Sequence, residues 1–432
     1  MFTNQNAQTS PAWLQIIVLL GLVVVLMVLL LPRRPLPIHP QNIHQLREAL
    51  RLERAPIDTK HFRQMQINTI NGDILATTGY SNYLWHRGNG SPQVVDLESA
   101  GGYTPQIFFA GEKPIAIFTT WQGSMFLLDM NSGQMSQIFG SDFNATIGQN
   151  WGISPDGSVI AGATPETLYV METATQQQRF RISAEPGYGF WYSQPTFNVD
   201  GTVLVTAYRD MACSCDSDIA LWDTTTGQQS ALLGKFRDGY VGTFRFSDDM
   251  RLLAVGGSSR AVAGSDGVLQ IWNLETGTEL AYGNIGGVAI QQLLFSPDQR
   301  FLAAQGYDSV WLWEIEAFRA TGEALVAEDG SGSAGNFNGI AFSPDSRLFV
   351  FGTPDGGIQA VDTATGVWLT EIPAHKIQDI HFSADGRSLI TSGRSDGTIR
   401  FWELQDRRVQ SVTSGAIVLP TPVMTPTVPA ST

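Results

Sequence analysis

The sequence predicts an all-β ring of eight four-stranded units, a β-propeller, and three observations predict it. First, Ile380–Leu404 holds three short strand signals: one ends at Phe382 before Asp385-Gly386, one covers Ser388–Ser392, and one covers Thr398–Leu404 after Ser395-Asp396-Gly397. Alternating apolar and polar residues bounded by Asp-Gly turns are the signature of hairpin strands. Second, an apolar residue recurs before a polar turn at Ile67, Phe109, Ile153, Phe197, Phe246, Phe295, Phe342 and Phe382, with spacings of 40 to 49 residues. Third, about twenty residues after each comes a strand end: Trp85-His86, Leu128-Asp129, Val170-Met171, Trp222-Asp223, Trp272-Asn273, Trp313-Glu314, Val361-Asp362 and Trp402-Glu403. Three antiparallel strands cannot bury a face alone, and a period near 40 residues with four strands per unit is that of a propeller blade. Seven blades behind an irregular first unit is the alternative.

Composition narrows the function classes. The chain has 432 residues, 43% of them hydrophobic, and a formal net charge of −14. That balance argues against a nucleic-acid partner or an anionic lipid surface, either of which wants a basic face. The two cysteines, Cys213 and Cys215, do not make a disulfide framework and read as loop thiols.

In chain order, residues 1–11 are polar and carry no charged side chain, and residues 12–31 are the apolar run Ala12 to Leu31, with Gln15 as its one polar side chain. Twenty residues of helix reach roughly 30 Å, the thickness of a bilayer's hydrocarbon core. The run is too long for a signal peptide, and no small-x-small cleavage site follows it. It reads as a retained single-pass transmembrane helix. Arg33 and Arg34 follow it, so the positive-inside tendency puts the propeller on the cytoplasmic side. The extracytoplasmic side is the alternative, and the Pro/Thr-rich tail speaks for it. Residues 32–56 are a juxtamembrane linker, and Ile43, Leu46 and Leu50 predict a short helix over 40–54. The propeller spans 57–414, with Arg408–Val412 expected as the last blade's own fourth strand. Residues 415–432, rich in Pro and Thr, are expected to be a disordered tail.

The intact turn phrases Ile153-Ser154-Pro155-Asp156-Gly157, Phe295-Ser296-Pro297-Asp298 and Phe342-Ser343-Pro344-Asp345, with the weakened Phe197-Asn198-Val199-Asp200-Gly201 and Phe246-Ser247-Asp248-Asp249, carry a resemblance. The units resemble WD40 repeats, in a degenerate, bacterial-type form, over about 350 residues. The resemblance is strong in the last five units and weak in the first two. It implies a structural tetrad of His375, Ser392, Asp396 and Trp402 in the last unit, with the imidazole, hydroxyl and carboxylate satisfying one another beneath the indole. His375 follows Ala374, where the family usually has Gly. The implied role is a non-catalytic scaffold for protein or peptide partners.

Chemical motifs point the same way. Gly330 to Gly335 fits G-x-G-x-x-G, but a strand follows where phosphate binding needs a helix. Gly234-Lys235 lacks the rest of a P-loop, and neither H-E-x-x-H nor G-x-S-x-G occurs. Asp210, Asp216 and Asp218 crowd one loop at spacings that fit no EF-hand. Asn89-Gly90-Ser91 and Asn144-Ala145-Thr146 are sequons. No catalytic residue, metal site or cofactor is expected. The partner-binding candidates lie six residues before the aligned apolar position: Tyr103, Trp191 and Tyr240, thickened by Phe190 and Tyr192 and walled by the turns Tyr208–Asp218 and Ser258–Gly267. Aromatic side chains dominate binding hot spots; a plug for the channel mouth is the competing role. The functional alternative is an exported propeller acting as a hydrolase or ligand sensor.

Overall fold

A computed structural model describes residues 37–53, 62–68, 70–87, 91–97, 102–120, 124–139, 151–190, 194–210, 216–237, 239–259, 267–286, 289–306, 308–321, 324, 326–329, 337–394, 396–404 and 423–424. These residues form eight antiparallel sheets in sequence order. Blade 1 spans 64–96, blade 2 102–139, blade 3 151–183, blade 4 188–236, blade 5 239–286, blade 6 292–329, blade 7 338–373 and blade 8 377–404. Every aligned apolar residue lies at or one short of the end of its blade's innermost strand, from Gln64–Ile67 in blade 1 to Ile377–Phe382 in blade 8.

The blades are held face to face by eight apolar clusters, each shared by two consecutive blades. One joins blade 8 back to blade 1 through Ile390, Ile399, Met65 and Trp85. The ring is therefore closed, and it has eight blades.

The recurring turn is built around a serine. In blade 3, Ser154 Oγ donates to Asp156 Oδ1 at 2.6 Å and accepts from the Val159 N–H at 2.9 Å. Ser247, Ser296, Ser343 and Ser383 repeat the arrangement with Asp249, Asp298, Asp345 and Asp385. The residue after the aspartate takes positive φ. It is Gly157 in blade 3 and Gly386 in blade 8, but Met250, Gln299 and Ser346 adopt the same left-handed conformation at φ of 58 to 60°. Asp129, Asp223, Asn273 and Asp362, at the strand ends, cap the next turn by accepting two backbone N–H bonds each.

Two expectations are corrected at the seam. Residues 40–54 are not a helix. Ile43–Gln45 make one 3-10 turn, and Leu46–Glu53 form a strand. That strand, not Arg408–Val412, is the outermost strand of blade 8. It runs antiparallel to Thr398–Leu404, from Leu46 opposite Leu404 to Glu53 opposite Thr398, with a bulge between Glu48 and Leu50. The reason is a vacancy in hydrogen bonding: strand Thr398–Leu404 has a free edge, and the N-terminal strand satisfies it. Leu46 enters the core between blades 7 and 8, and Leu52 enters the one between blades 8 and 1. Residues 12–31 and 405–422 lie outside the described residues. Val423–Met424 pair in parallel with Val94 and Val95 of blade 1. Among the described residues no helix is long and apolar enough to cross a membrane.

Leu46→Ala should destabilise the protein by about 2–5 kcal/mol, the usual cost of truncating a buried leucine. Leu50→Ala, on the same strand but 48% exposed, should change it by less than about 1 kcal/mol. Equal effects of the two in denaturant titrations would show that the strand does not close the ring.

Candidate functional site

Each inner strand begins on one face of the ring, the entrance face, and ends at a turn on the other, the turn face; the turn is serine-centred in blades 3, 5, 6, 7 and 8, and Asn198 takes the place of the serine in blade 4. Of the partner candidates, Tyr240 and the backbone of Tyr103 belong to the entrance face. Tyr240 pairs with Ser258 at the start of the blade 5 inner strand. It is half-buried, and the Arg209 guanidinium lies 4.6 Å from its ring centre. Such stacking is a cation–π contact, so this ring is already engaged within the chain. Tyr103 pairs with Thr119 in blade 2; its side chain, and all of Trp191 and Tyr192, lie outside the described residues. Beside them in blade 4, Tyr208 meets Tyr188 at 6.2 Å and Phe190 at 5.9 Å. Phe190 is buried in the core between blades 3 and 4. Burial, with the charges of Asp218 and Glu185, raises the Tyr208 phenol above its ordinary pKa. The structure thus gathers Tyr188, Phe190 and Tyr208 in blade 4 and shows Tyr240 in blade 5 under an arginine.

The tetrad residues are only partly joined. Trp402 is buried, and its indole Nε1 donates to Thr391 Oγ1 at 3.0 Å, not to Ser392. Strand alternation explains this: Ser392 points to the opposite face, where its hydroxyl accepts from the Asp379 N–H at 3.1 Å. Blade 4 repeats the pairing, with Trp222 donating to Thr206 at 2.8 Å. His375 and Asp396 do meet, across Gly393. A Cβ on Gly393 would lie 1.8 Å from Asp396 Oδ1 and 2.9 Å from His375 Cδ2. Asp396 accepts from the Thr398 N–H and hydroxyl and from Arg400, and these bonds hold it below the usual carboxylate range. Neither imidazole nitrogen of His375 finds a hydrogen-bond partner among the described residues. Burial, helped by Arg400, pushes its pKa down to about 4 against the pull of Asp396.

Two features escaped sequence reasoning. Asp379 and His381 alternate on the inner strand of blade 8 and face the Met65 backbone of blade 1. The Asp379 side chain is half-buried, but its Oδ2 is sealed from solvent and unpartnered among the described residues. Burial drives Asp379 up to about 7 and His381 down to about 4, with the Met65 backbone opposing both shifts. A polar pair two residues apart on an apolar strand was the available signal.

The other is a cleft of about 520 Å³ between blades 8 and 1, opening among the turns of the turn face. Trp85, Ile390 and Phe401 form its walls, Leu50 and Ile70 its rim, and Arg87 lies across Gly72 at its edge. Asp73 fixes that edge by accepting from the Arg87 N–H at 2.9 Å and contacting His86 Nδ1 at 2.9 Å. Its walls come from residues more than 300 apart in sequence, so no local pattern marks it. Asp379 and His381 do not line it. Among the described residues no cluster of His, Cys, Asp and Glu could hold a metal ion. Cys213, Cys215 and both sequon asparagines lie outside those residues.

Comparison with known proteins bears on the last blade first. The family model of the WD domain, G-beta repeat, matches residues 366–403. The matched stretch takes the outer strand of blade 7, Trp368–Pro373, with the three inner strands of blade 8. The WD40 frame is thus offset from the blade by one strand, which is why the fourth strand of blade 8 has to come from elsewhere. The chain is 26% identical over 240 residues to the serine-threonine kinase receptor-associated protein of Dictyostelium discoideum, covering 46% of this chain and 77% of that protein. It is 27% identical over 191 residues to the small ribosomal subunit protein RACK1y of Oryza sativa subsp. japonica, covering 44% and 42%. It is 26% identical over 215 residues to the eukaryotic translation initiation factor 3 subunit I of Aspergillus oryzae, covering 47% and 59%. The chain spans less than two thirds of the length of the latter two.

Asp379 and His381 make opposed contributions to stability. Between about pH 4 and 6.5, folded Asp379 keeps a proton that its unfolded form, with an ordinary value of 3.8, has lost, so stability falls as pH rises toward 7. Over the same interval unfolded histidine binds a proton that folded His381 and His375 refuse, so stability rises with pH. Asp379→Asn should remove the falling part. Its melting temperature should climb more steeply than that of the wild type from pH 4 to 6.5; parallel curves would show that Asp379 is not held protonated.

Proposed function

We propose that the chain is a non-catalytic protein-interaction scaffold, its propeller tethered to a membrane by residues 12–31 and facing the cytoplasm. The observation that carries the scaffold reading is the entrance face: a ring fixed by eight inter-blade cores presents the half-buried Tyr188 and Tyr208, backed by the buried Phe190, and Tyr240 under Arg209. A rigid frame keeps the ordering cost of binding low, and aromatic groups supply contact area with few rotors. The names of the three relatives, a receptor-associated protein, a ribosomal subunit protein and an initiation-factor subunit, describe proteins that work within assemblies, and this supports the reading. Those relatives are eukaryotic; the bacterial-type reading of the degenerate repeats is kept as part of this proposal. The apolar run of 12–31 and Arg33-Arg34 behind it support the anchor and its orientation.

Trp191→Ala combined with Tyr240→Ala should leave the melting temperature nearly unchanged while removing partners recovered from detergent-solubilised membranes. Retention of every partner by a folded double variant would make this patch structural.

The protein should stay in membranes, uncleaved, through high-salt and carbonate washes, and protease added to intact cells or spheroplasts should spare the propeller. Loss of residues 1–31 from the mature protein, or digestion of the propeller from outside, would overturn the topology.

A further inference from the structure

The cleft between blades 8 and 1 is walled by apolar side chains and rimmed by two of the most exposed large ones, Leu50 at 48% and Ile70 at 65%. Phe401, on its blade 8 wall, lies three residues before Leu404, where the described strand stops. That strand ends on the turn face, beside the cleft's mouth. The next described residues, Val423 and Met424, lie in parallel against Val94 and Val95, on the outer strand of blade 1. The chain therefore leaves one wall of the cleft and returns on the outer edge of the other. Residues 405–422 connect the two points. Eighteen residues reach at most roughly 60 Å, ample for this crossing.

In that stretch the only run of consecutive apolar residues is Ala416-Ile417-Val418-Leu419, followed by Pro420 and Pro422. Proline fixes φ near the extended range and suits a segment laid along a groove. Two branched side chains and a leucine match the apolar lining, and tethering at both ends raises the local concentration of the run.

We propose that the 416–419 run docks in the cleft between blades 8 and 1 of its own chain. A partner using this cleft would have to displace it. The entrance-face reading does not depend on this contact.

The test is cross-linking in the full-length chain carrying Cys213→Ser and Cys215→Ser. Ile70→Cys with Leu419→Cys places thiols on the cleft rim and on the run. Leu232→Cys with Leu419→Cys is the control: Leu232 is 54% exposed, on the outer strand of blade 4, across the ring. Ile70 and Leu232 are exposed, so the fold tolerates a cysteine at either. With a short bismaleimide, the rim pair should cross-link within one chain at least about tenfold more than the control, as expected for a docked, tethered segment. Adding Ile417→Asp should reduce the rim pair to the control level. Equal yields for the two pairs, links formed only between two copies, or links indifferent to Ile417→Asp would each overturn the proposal.

Discussion

The ring depends on one pairing, that of Leu46–Glu53 with Thr398–Leu404. Every other sheet is assembled mostly from neighbours in sequence, through short turns. This one brings together segments nearly the whole chain apart, and its loop-closure cost must be met by what the strand buries. The strand meets it twice. Leu46 fills the core between blades 7 and 8, with Ile38 and Ile43 ahead of it, and Leu52 fills the core between blades 8 and 1. Glu48 adds a charge contact, 3.7 Å from Arg400, which also bonds Asp396. A single strand thus couples two inter-blade cores and the polar cluster beneath Gly393. Because each core is shared by two blades, loosening this strand exposes both faces of blade 8.

Much of the fold was legible because it is local. The aligned apolar residues mark inner-strand ends because, in blades 3, 5, 6, 7 and 8, the serine-centred turn that follows uses residues two to five apart, visible as Ser-x-Asp. The N-terminal strand was not legible for a related reason. Ile43, Leu46 and Leu50 fit a helical face, yet Leu46, Leu50 and Leu52 also fit a strand once the bulge after Glu48 is allowed. Short apolar patterns do not separate the two, and the partner that decides the matter, Thr398–Leu404, is invisible locally. The repeat pattern did not mark Thr391, the residue that accepts from the Trp402 indole, because Ser392 one position on faces the other side of the strand. At the candidate sites, Tyr240 could be placed from spacing alone, but Arg209 over its ring could not, since that contact joins two blades.

Asp379 and His381 show how a polar pair can sit at a seam without a net charge between about pH 4 and 7. Burial favours the neutral form of each, a protonated carboxyl in one case and a free imidazole in the other. Neither opens on the cleft, so their chemistry is spent on the junction of the first and last blades rather than on a ligand.

The offset between repeat and blade has a mechanical meaning. The residues ahead of Leu46 lead directly into the strand that fastens the ring, with Ile38 bonded to Gly386 at 2.8 Å just before it. Tension on the chain from that side is therefore taken up by the Ile38–Gly386 bond and the buried Ile43, and then by the Leu46–Leu404 end of the pairing, one residue pair at a time, and not shared across the sheet. A pull there would peel the ring open at blade 8 while the other seven blades, each built mostly from contiguous sequence, stayed folded. The pairing most distant in the sequence is also the first strand pairing to feel a load.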